Sequence, residues 1–481
     1  MARTEEFQLR PMGWETDPAE ERIRLSTFDY LAAAVYNSYA LYFRLEETDR
    51  PKVLEALKGS LERTLSQCRQ LVGRLEKNHD DDDHSFVKRR DDTVRLVVTY
   101  WDETDGVPSF SDVEQAQYCS SVLGDVSRFV VPGMEYGERP ECMLDARPVI
   151  SAFKINFIPG GMILLFNWHH YANDAAGFGH FTKQLADNCF AAYNGTATPS
   201  WDLANLDASR FTANDLASHS KVDGPKSPEK HPDVKKHSLI LLHLPKSKAA
   251  KLKALATPTK PGWISTYDAF AAFLWRCLTR HRMVLYDAQL EDVPLFIEGI
   301  NLRPRAEPAV AARQQRNLFW AAFSAHLPEP LTLGDITACG EGAVPLSVLA
   351  TKVREMTNSI NQTAIDNTLA MLAPIRNKAS LYSRADSCPP LTFALTDWRC
   401  ADVCPCDFGF GRPTAYRHLA DTVSEHLCII YPPRAASTTE NAADEGCEFA
   451  VAVEVEAVPS VLGDQELMDF FEFRGFEVDG K

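Results

Sequence analysis

Two clusters in this chain hold residue types that could do chemistry. The first is His169-His170-x-x-x-Asp174. A neutral imidazole can take a proton at physiological pH, which makes a histidine here a candidate general base. A His and an Asp four apart are weak evidence alone, because a buried histidine with a partner is usually structural. Here the pair follows a wholly apolar run, stands beside a second histidine and precedes a helix. The second cluster is Asp407-Phe408-Gly409-Phe410-Gly411-Arg412-Pro413, a glycine-flanked turn with an aromatic centre. Its Pro413 prevents it from opening a dinucleotide-binding helix. The chain lacks a P-loop, H-E-x-x-H and G-x-S-x-G. Cys400, Cys404 and Cys406 lack a fourth ligand at sensible spacing. Asp80 to Asp83, between His79 and His84, read as a solvated loop, since aspartates in a row cannot all converge on one ion. No metal site is expected. No serine or cysteine beside the histidine pair offers itself as a nucleophile, so any group transfer there would be direct.

The elements that must position these residues are legible in part. Phe153, Ile155 and Phe157 alternate with Lys154 and Asn156, which predicts a strand with one wet face. Pro159-Gly160-Gly161 turns the chain into Met162–Phe166, a strand buried on both faces, and the histidines lie just past its end. A helix follows with Phe178, Phe181, Leu185 and Cys189 on one face and Asn194-Gly195 at its end. Leu54, Leu57, Leu61, Leu65 and Cys68 predict a long amphipathic helix over Val53 to Leu75, with Gly73 as its cap. Ser265-Thr266-Tyr267-Asp268 is a capping box opening a helix with Phe270, Phe273, Leu274, Cys277 and Leu278 inward. Strands are expected at Phe296–Ile300, Leu427–Tyr431 and Phe449–Val455, and a short helix around Leu467–Phe471 closes the chain.

The 481 residues, 45% hydrophobic and 24% charged, suit a large α/β chain of two parts. The net charge of −16 argues against a dedicated nucleic-acid binder. Twelve scattered cysteines and no apolar leader or membrane-length run point to a reduced, cytoplasmic protein. Between Asn194 and Lys236 periodicity is lost, as in a crossover between halves. Ten lysines against three acids lie between Lys221 and Lys260, which would suit either a solvated face or attraction of a polyanionic ligand.

Together these segments resemble the BAHD acyltransferases, which acylate plant and fungal secondary metabolites from CoA thioesters, and in particular the fungal trichothecene 3-O-acetyltransferase branch. The resemblance runs from about Leu25 to Phe471. It rests on Leu57-x-x-Ser60-Leu61-x-x-Thr64-Leu65 leading to Gly73-Arg74-Leu75, on His169-His170-x-x-x-Asp174, and on Ser265-Thr266-Tyr267-Asp268 with Trp275-Arg276. Thr396-Asp397-Trp398, leading to Asp407–Gly411, completes it. It implies an α/β fold of two similar chloramphenicol-acetyltransferase-like domains with a solvent channel between them. The expected division is 1–205, a crossover at 206–245, and 246–481. It further implies His170 as the base, with His169 and Asp174 structural and Asp174 typically paired with an arginine. Asp407, Gly409 and Gly411 form a structural turn, Asp407 being ion-paired with Arg303 or Arg305. Trp398 or Thr396 is the candidate donor to the reaction's oxyanion. Ser265, Thr266 and Lys253 are placed at the phosphates of acyl-CoA, a co-substrate rather than a tightly bound cofactor. The partners implied are that donor and a hydroxylated small molecule; the protein would be a monomer, with no nucleic acid and no membrane.

Three positions depart from the family pattern. Ala175 follows Asp174 where glycine is common, with Gly177 nearby; Phe410 replaces tryptophan; and Leu318-Phe319-Trp320-Ala321 replaces an aromatic-x-Gly-Asn stretch, so that Trp320 is expected to intrude on the acceptor side. The alternatives to O-acylation are N-acylation, a condensation-type reaction fed by carrier proteins, and a catalytically silent metabolite binder.

Overall fold

The apolar runs assemble into two large mixed sheets, seen in a computed structural model that describes residues 2–79, 82–213, 221–259, 262–338, 344–435 and 442–480. In spatial order the first sheet contains Arg3–Leu9, Val94–Tyr100, Ser151–Ile158, Gly161–His169, Tyr36–Arg44 and Ala415–His418. The second contains Phe319–Phe323, Phe296–Asn301, Phe393–Asp397, Leu427–Tyr431, Cys447–Glu454, His237–Leu244 and Glu472–Val478. Glu20–Arg24, His84–Arg89 and Arg74–Lys77 form a small third sheet.

Each large sheet has its own core. Helices Arg50–Gln67 and Ala175–Asn194 pack their apolar stripes on the first sheet, with Leu57, Leu61, Phe181 and Leu185 against Phe153, Leu164 and Phe166. Helix Thr266–Arg282 lays Phe270, Phe273 and Leu274 on the second sheet. Sheet membership crosses the expected boundaries. Strand His237–Leu244, inside the stretch 206–245, belongs to the second sheet, and Ala415–His418 from the second half pairs with Tyr39–Tyr42 in the first. Arg417 on that strand is fully buried and reaches Glu448 of the second sheet at 2.8 Å. Asp80, Asp81, residues 214–220 of the crossover and Lys260 lie outside the described residues.

Three local expectations need correction. The first helix stops at Gln67, not Leu75; a 3-10 turn at Arg69–Leu71 leads into strand Arg74–Lys77. The apolar spacing persists through the turn because both elements bury the same side. Gly73 is not a helix cap but the entry to that strand, at φ 90°, where a Cβ would lie 2.1 Å from the Val87 carbonyl oxygen. The Ser151–Ile158 strand has no wet face, because the loop through Phe129 and Val130 covers it. Lys154 Nζ donates to the carbonyls of Arg128 and Val130, and Asn156 Nδ2 to that of Phe129. Burial pushes the Lys154 ammonium down to about 8. Finally, the helix Gln465–Phe470 does not close the chain; strand Glu472–Val478 follows it.

Candidate active site

The strand Gly161–His169, buried throughout, delivers two histidines with opposite fates. His169 points inward. Its Nε2 donates to the Cys142 carbonyl at 2.9 Å and its Nδ1 accepts from Tyr171 N at 3.1 Å. Burial drives its pKa down to about 4, so it is a neutral structural ring with no free nitrogen. His170 is held by its backbone instead. Its N–H donates to Val35 O, and its carbonyl accepts from Asn317 Nδ2, both at 2.9 Å. The His170 Nδ1 is sealed from solvent with no hydrogen-bond partner among the described residues, and the Asn317 Oδ1 is likewise unpaired. The residue as a whole is only half-buried, so its solvent-reaching edge is the Nε2 side. Burial lowers the His170 pKa, and its own carbonyl and the Asp174 charge only partly oppose that. At neutral pH the ring is therefore uncharged.

Asp174 does not touch the imidazole. It is the N-cap of Ala175–Asn194: Oδ1 accepts from Gly177 N at 2.8 Å, while Oδ2 accepts from Arg303 Nη1 at 2.9 Å and Leu318 N at 2.8 Å. Burial opposes its charge, but Arg303 and these donors prevail and hold its pKa below the usual carboxylate range. Gly177 takes the close-approach role, since a Cβ there would stand 2.7 Å from Asn173 Oδ1. Beneath lies a network that the motifs did not reveal. Asp29 accepts from Arg316 and from Asn317 N, and Asn317 carries the His170 and Tyr171 carbonyls. One signal was present: Ser26-x-x-Asp29 has capping-box spacing without a following α-helix, and the Asp29 carboxylate that accepts from Ser26 N at 2.7 Å also serves the distant Arg316 and Asn317.

The opposite wall comes from the second sheet. Along Phe296–Asn301 the pattern alternates, with Ile297, Gly299 and Asn301 half-buried and Phe296, Glu298 and Ile300 buried, and Phe319, Ala321, Phe323 and Thr396, which pair in register with the half-buried set, are half-buried too. This alternation marks one sheet face as lining open space. The Phe319 ring stands 6.2 Å from that of His170. Trp320, next along the strand, points away from the Phe319 face; it is half-buried and packs edge-on to Phe28 at 6.4 Å. Thr396 faces Gly299 across the parallel register, and its Oγ1 accepts the Trp398 indole N–H at 3.1 Å. That bond commits the indole proton and leaves the hydroxyl proton of Thr396 free to donate elsewhere.

The Asp407 turn lies at the other end of the Ala175–Asn194 helix, whose 20 residues span about 30 Å. Gly409 has φ 87° and packs against Phe190, Tyr193 and Asn194. Asp407 Oδ1 accepts from Gly409 N at 2.8 Å, and its charged neighbour is Arg412 at 3.6 Å. It does not pair with Arg303 or Arg305. Arg303 serves Asp174, and Arg305 donates to the Thr357 and Ile360 carbonyls. Gly411, at φ 154°, completes the turn, its carbonyl accepting from Phe408 N.

A cleft of about 530 Å³ adjoins the capped helix; Lys246, Lys253, Thr266 and Arg399 line it together with Leu244 and Cys447. The Ser265–Asp268 box is formed, and Ser265 N donates to Asp268 Oδ2 at 2.6 Å. Of the three residues expected at a phosphorylated donor, Thr266 and Lys253 share this cleft and Ser265 sits at its edge as the helix cap. The rest of the lysine-rich stretch disperses: Lys230 pairs with Glu425, and Lys248 with Glu472 at 3.9 Å.

A family model described as "Transferase family" matches residues 15–468. The chain belongs to this family, the BAHD acyltransferases. It is 44% identical to acetyltransferase FGR3 of Gibberella zeae, over 99% of this chain and 95% of that protein. It is 22% identical to the trichothecene 3-O-acetyltransferase TRI101 of Fusarium sporotrichioides, over 83% of this chain and 87% of that one. Among solved structures, that TRI101 complexed with coenzyme A and T-2 matches with a TM-score of 0.76 at 19% identity, covering 95% of this chain and all of that chain. Vinorine synthase matches with a TM-score of 0.65 at 17% identity, over 99% of this chain and all of that one. These two likenesses show a common fold. Like its relatives, this family member is an acyltransferase. No helix among the described residues is long and apolar enough to cross a membrane.

Proposed function

We propose that this acyltransferase moves an acyl group, an acetyl group in the first instance, from acyl-CoA to a hydroxyl of a secondary metabolite, with His170 as general base. The observation that carries the reading is the asymmetry of the His170 ring: Nδ1 is sealed without a partner, and the Nε2 side opens to solvent opposite Phe319. The acceptor hydroxyl gives its proton to Nε2 as its oxygen attacks the thioester carbonyl. The Thr396 hydroxyl, backed by the Trp398 indole, donates to the tetrahedral oxyanion. Collapse expels CoA thiolate, which takes the proton from His170. Lys246, Lys253 and the capped N-terminus at Ser265 and Thr266 supply positive potential for the CoA phosphates. A division into two halves, with His237–Leu244 counted with the second sheet and Ala415–His418 with the first, a cytoplasmic location and a monomeric state belong to the same reading. The acetyltransferase name of the FGR3 relative, at 44% identity, supports the acetyl group.

The test is thiol release from acetyl-CoA by purified protein, offered a panel of hydroxylated terpenoids, deoxynivalenol included, with polyketides and alkaloids and with His170→Ala beside it. Acceptor-dependent release that the variant loses is the expected result. Release only with amines would move the reading to N-acylation. Absence of CoA binding would favour a carrier-protein donor or a silent binder.

A further inference from the structure

A second histidine stands near the base and is used by no motif. His418 ends the Ala415–His418 strand and is 5% exposed. Its Nε2 accepts the Ser38 backbone N–H at 3.3 Å. A ring nitrogen that accepts a hydrogen bond carries no proton, so the proton of the neutral ring is on Nδ1. Nδ1 has no partner among the described residues, yet it is not among the sealed, unsatisfied atoms as His170 Nδ1 is; it reaches open space. The ring is gripped by Tyr136 at 4.5 Å, edge-on, and by Trp398 and Tyr39 at 5.6 Å. Tyr136 is itself tied to Ser424. Burial, reinforced by the nearby His170, pushes the His418 pKa down to about 3, so the ring stays neutral across the physiological range. None of Ser38, Tyr136, Ser424 or His418 lines the Lys253–Thr266 cleft.

We propose that His418 is an acceptor-anchoring residue, whose Nδ1–H donates to an uncharged oxygen of the acceptor (carbonyl, ether or hydroxyl) other than the one acylated, while Tyr136 and Trp398 flank the acceptor skeleton. This rests on the acyl-transfer reading above and adds a specificity element to it. A neutral donor between half-buried aromatic rings selects an oxygenated, uncharged, largely apolar molecule.

Two substitutions separate anchoring from scaffolding. His418→Asn keeps an N–H near the Nδ1 position and loses the partner of Ser38; His418→Gln keeps an acceptor near the Nε2 position and loses the Nδ1 donor. Steady-state kinetics would use the panel alcohol that the unmodified enzyme turns over fastest. His418→Gln is expected to raise the acceptor KM about tenfold with the acetyl-CoA KM unchanged, and His418→Asn to stay closer to the parent. The reverse order, or equal changes in both KM values, would overturn the anchor and leave a scaffold role. If either variant fails to fold, ¹⁵N-histidine spectra of the unmodified protein decide: anchoring requires a protonated Nδ1 whose signal moves when that alcohol is added, and a proton on Nε2 or an unmoved signal contradicts it. Turnover of no alcohol at all by the parent enzyme would overturn the acyl-transfer reading itself, and the anchor with it.

Discussion

The two ends of the Ala175–Asn194 helix carry the two most conspicuous motifs, and they are built on opposite principles. At the N-terminal end Asp174 is buried and fully engaged with Gly177, Arg303 and Leu318. At the C-terminal end Asp407 is 42% exposed, and its partner Arg412 is 63% exposed at 3.6 Å. The first end joins the two sheets beside a ring that reaches solvent. The second closes a turn through glycine geometry, and its charge is incidental. Prominence in sequence does not distinguish the two; burial and partner geometry do.

Substitutions at the two ends should therefore diverge, and the size of each effect tests the contrast. His170→Ala is expected to lose about 10²–10⁴ in kcat with its thermal midpoint unchanged, checked by thiol release and a melting curve. A matching drop in stability would make His170 structural. Asp174→Ala leaves the Arg303 guanidinium buried and unpaired and should cost about 3–5 kcal/mol in urea unfolding. A cost below about 1 kcal/mol would break the claim that this carboxylate holds the sheets together. Gly409→Ala forces a positive φ on alanine and sets its Cβ 2.9 Å from Tyr193 Cβ, an expected loss of about 1–3 kcal/mol with KM values intact. Asp407→Asn keeps an acceptor for Gly409 N and gives up only an exposed ion pair, so stability should change by less than about 1 kcal/mol. Kinetic constants should stay at the parent level. A large kinetic defect there would bring the turn into the chemistry.

What was legible in the sequence follows from how local each signal is. The Ser265–Asp268 box and the Asn194-Gly195 end are satisfied within a turn, and both stand where expected. Period-two alternation at Phe449–Val455 and the apolar run at Met162–Phe166 marked strands for the same reason. Several misreadings share one physical origin, a partner far away in the chain. Lys154 and Asn156 look solvent-facing until the carbonyls of Arg128, Phe129 and Val130 arrive to cover them. Arg303 and Asp174 are 129 residues apart, and nothing local assigns that pair over Asp407. The Asp29–Arg316–Asn317 network needs both halves folded before it exists. Trp320 is a different case, because one position along a strand reverses the face a side chain meets.

The central claim, a neutral His170 acting through Nε2, is tested most directly by the pH dependence of kcat/KM for acetyl transfer. Burial lowers the His170 pKa from its ordinary value, and the base works only when deprotonated. Activity should hold steady at neutral pH and fall as pH drops, along a single-proton limb with its midpoint below about 6.5. A midpoint above about 7, or a profile with no acid limb, would contradict this account.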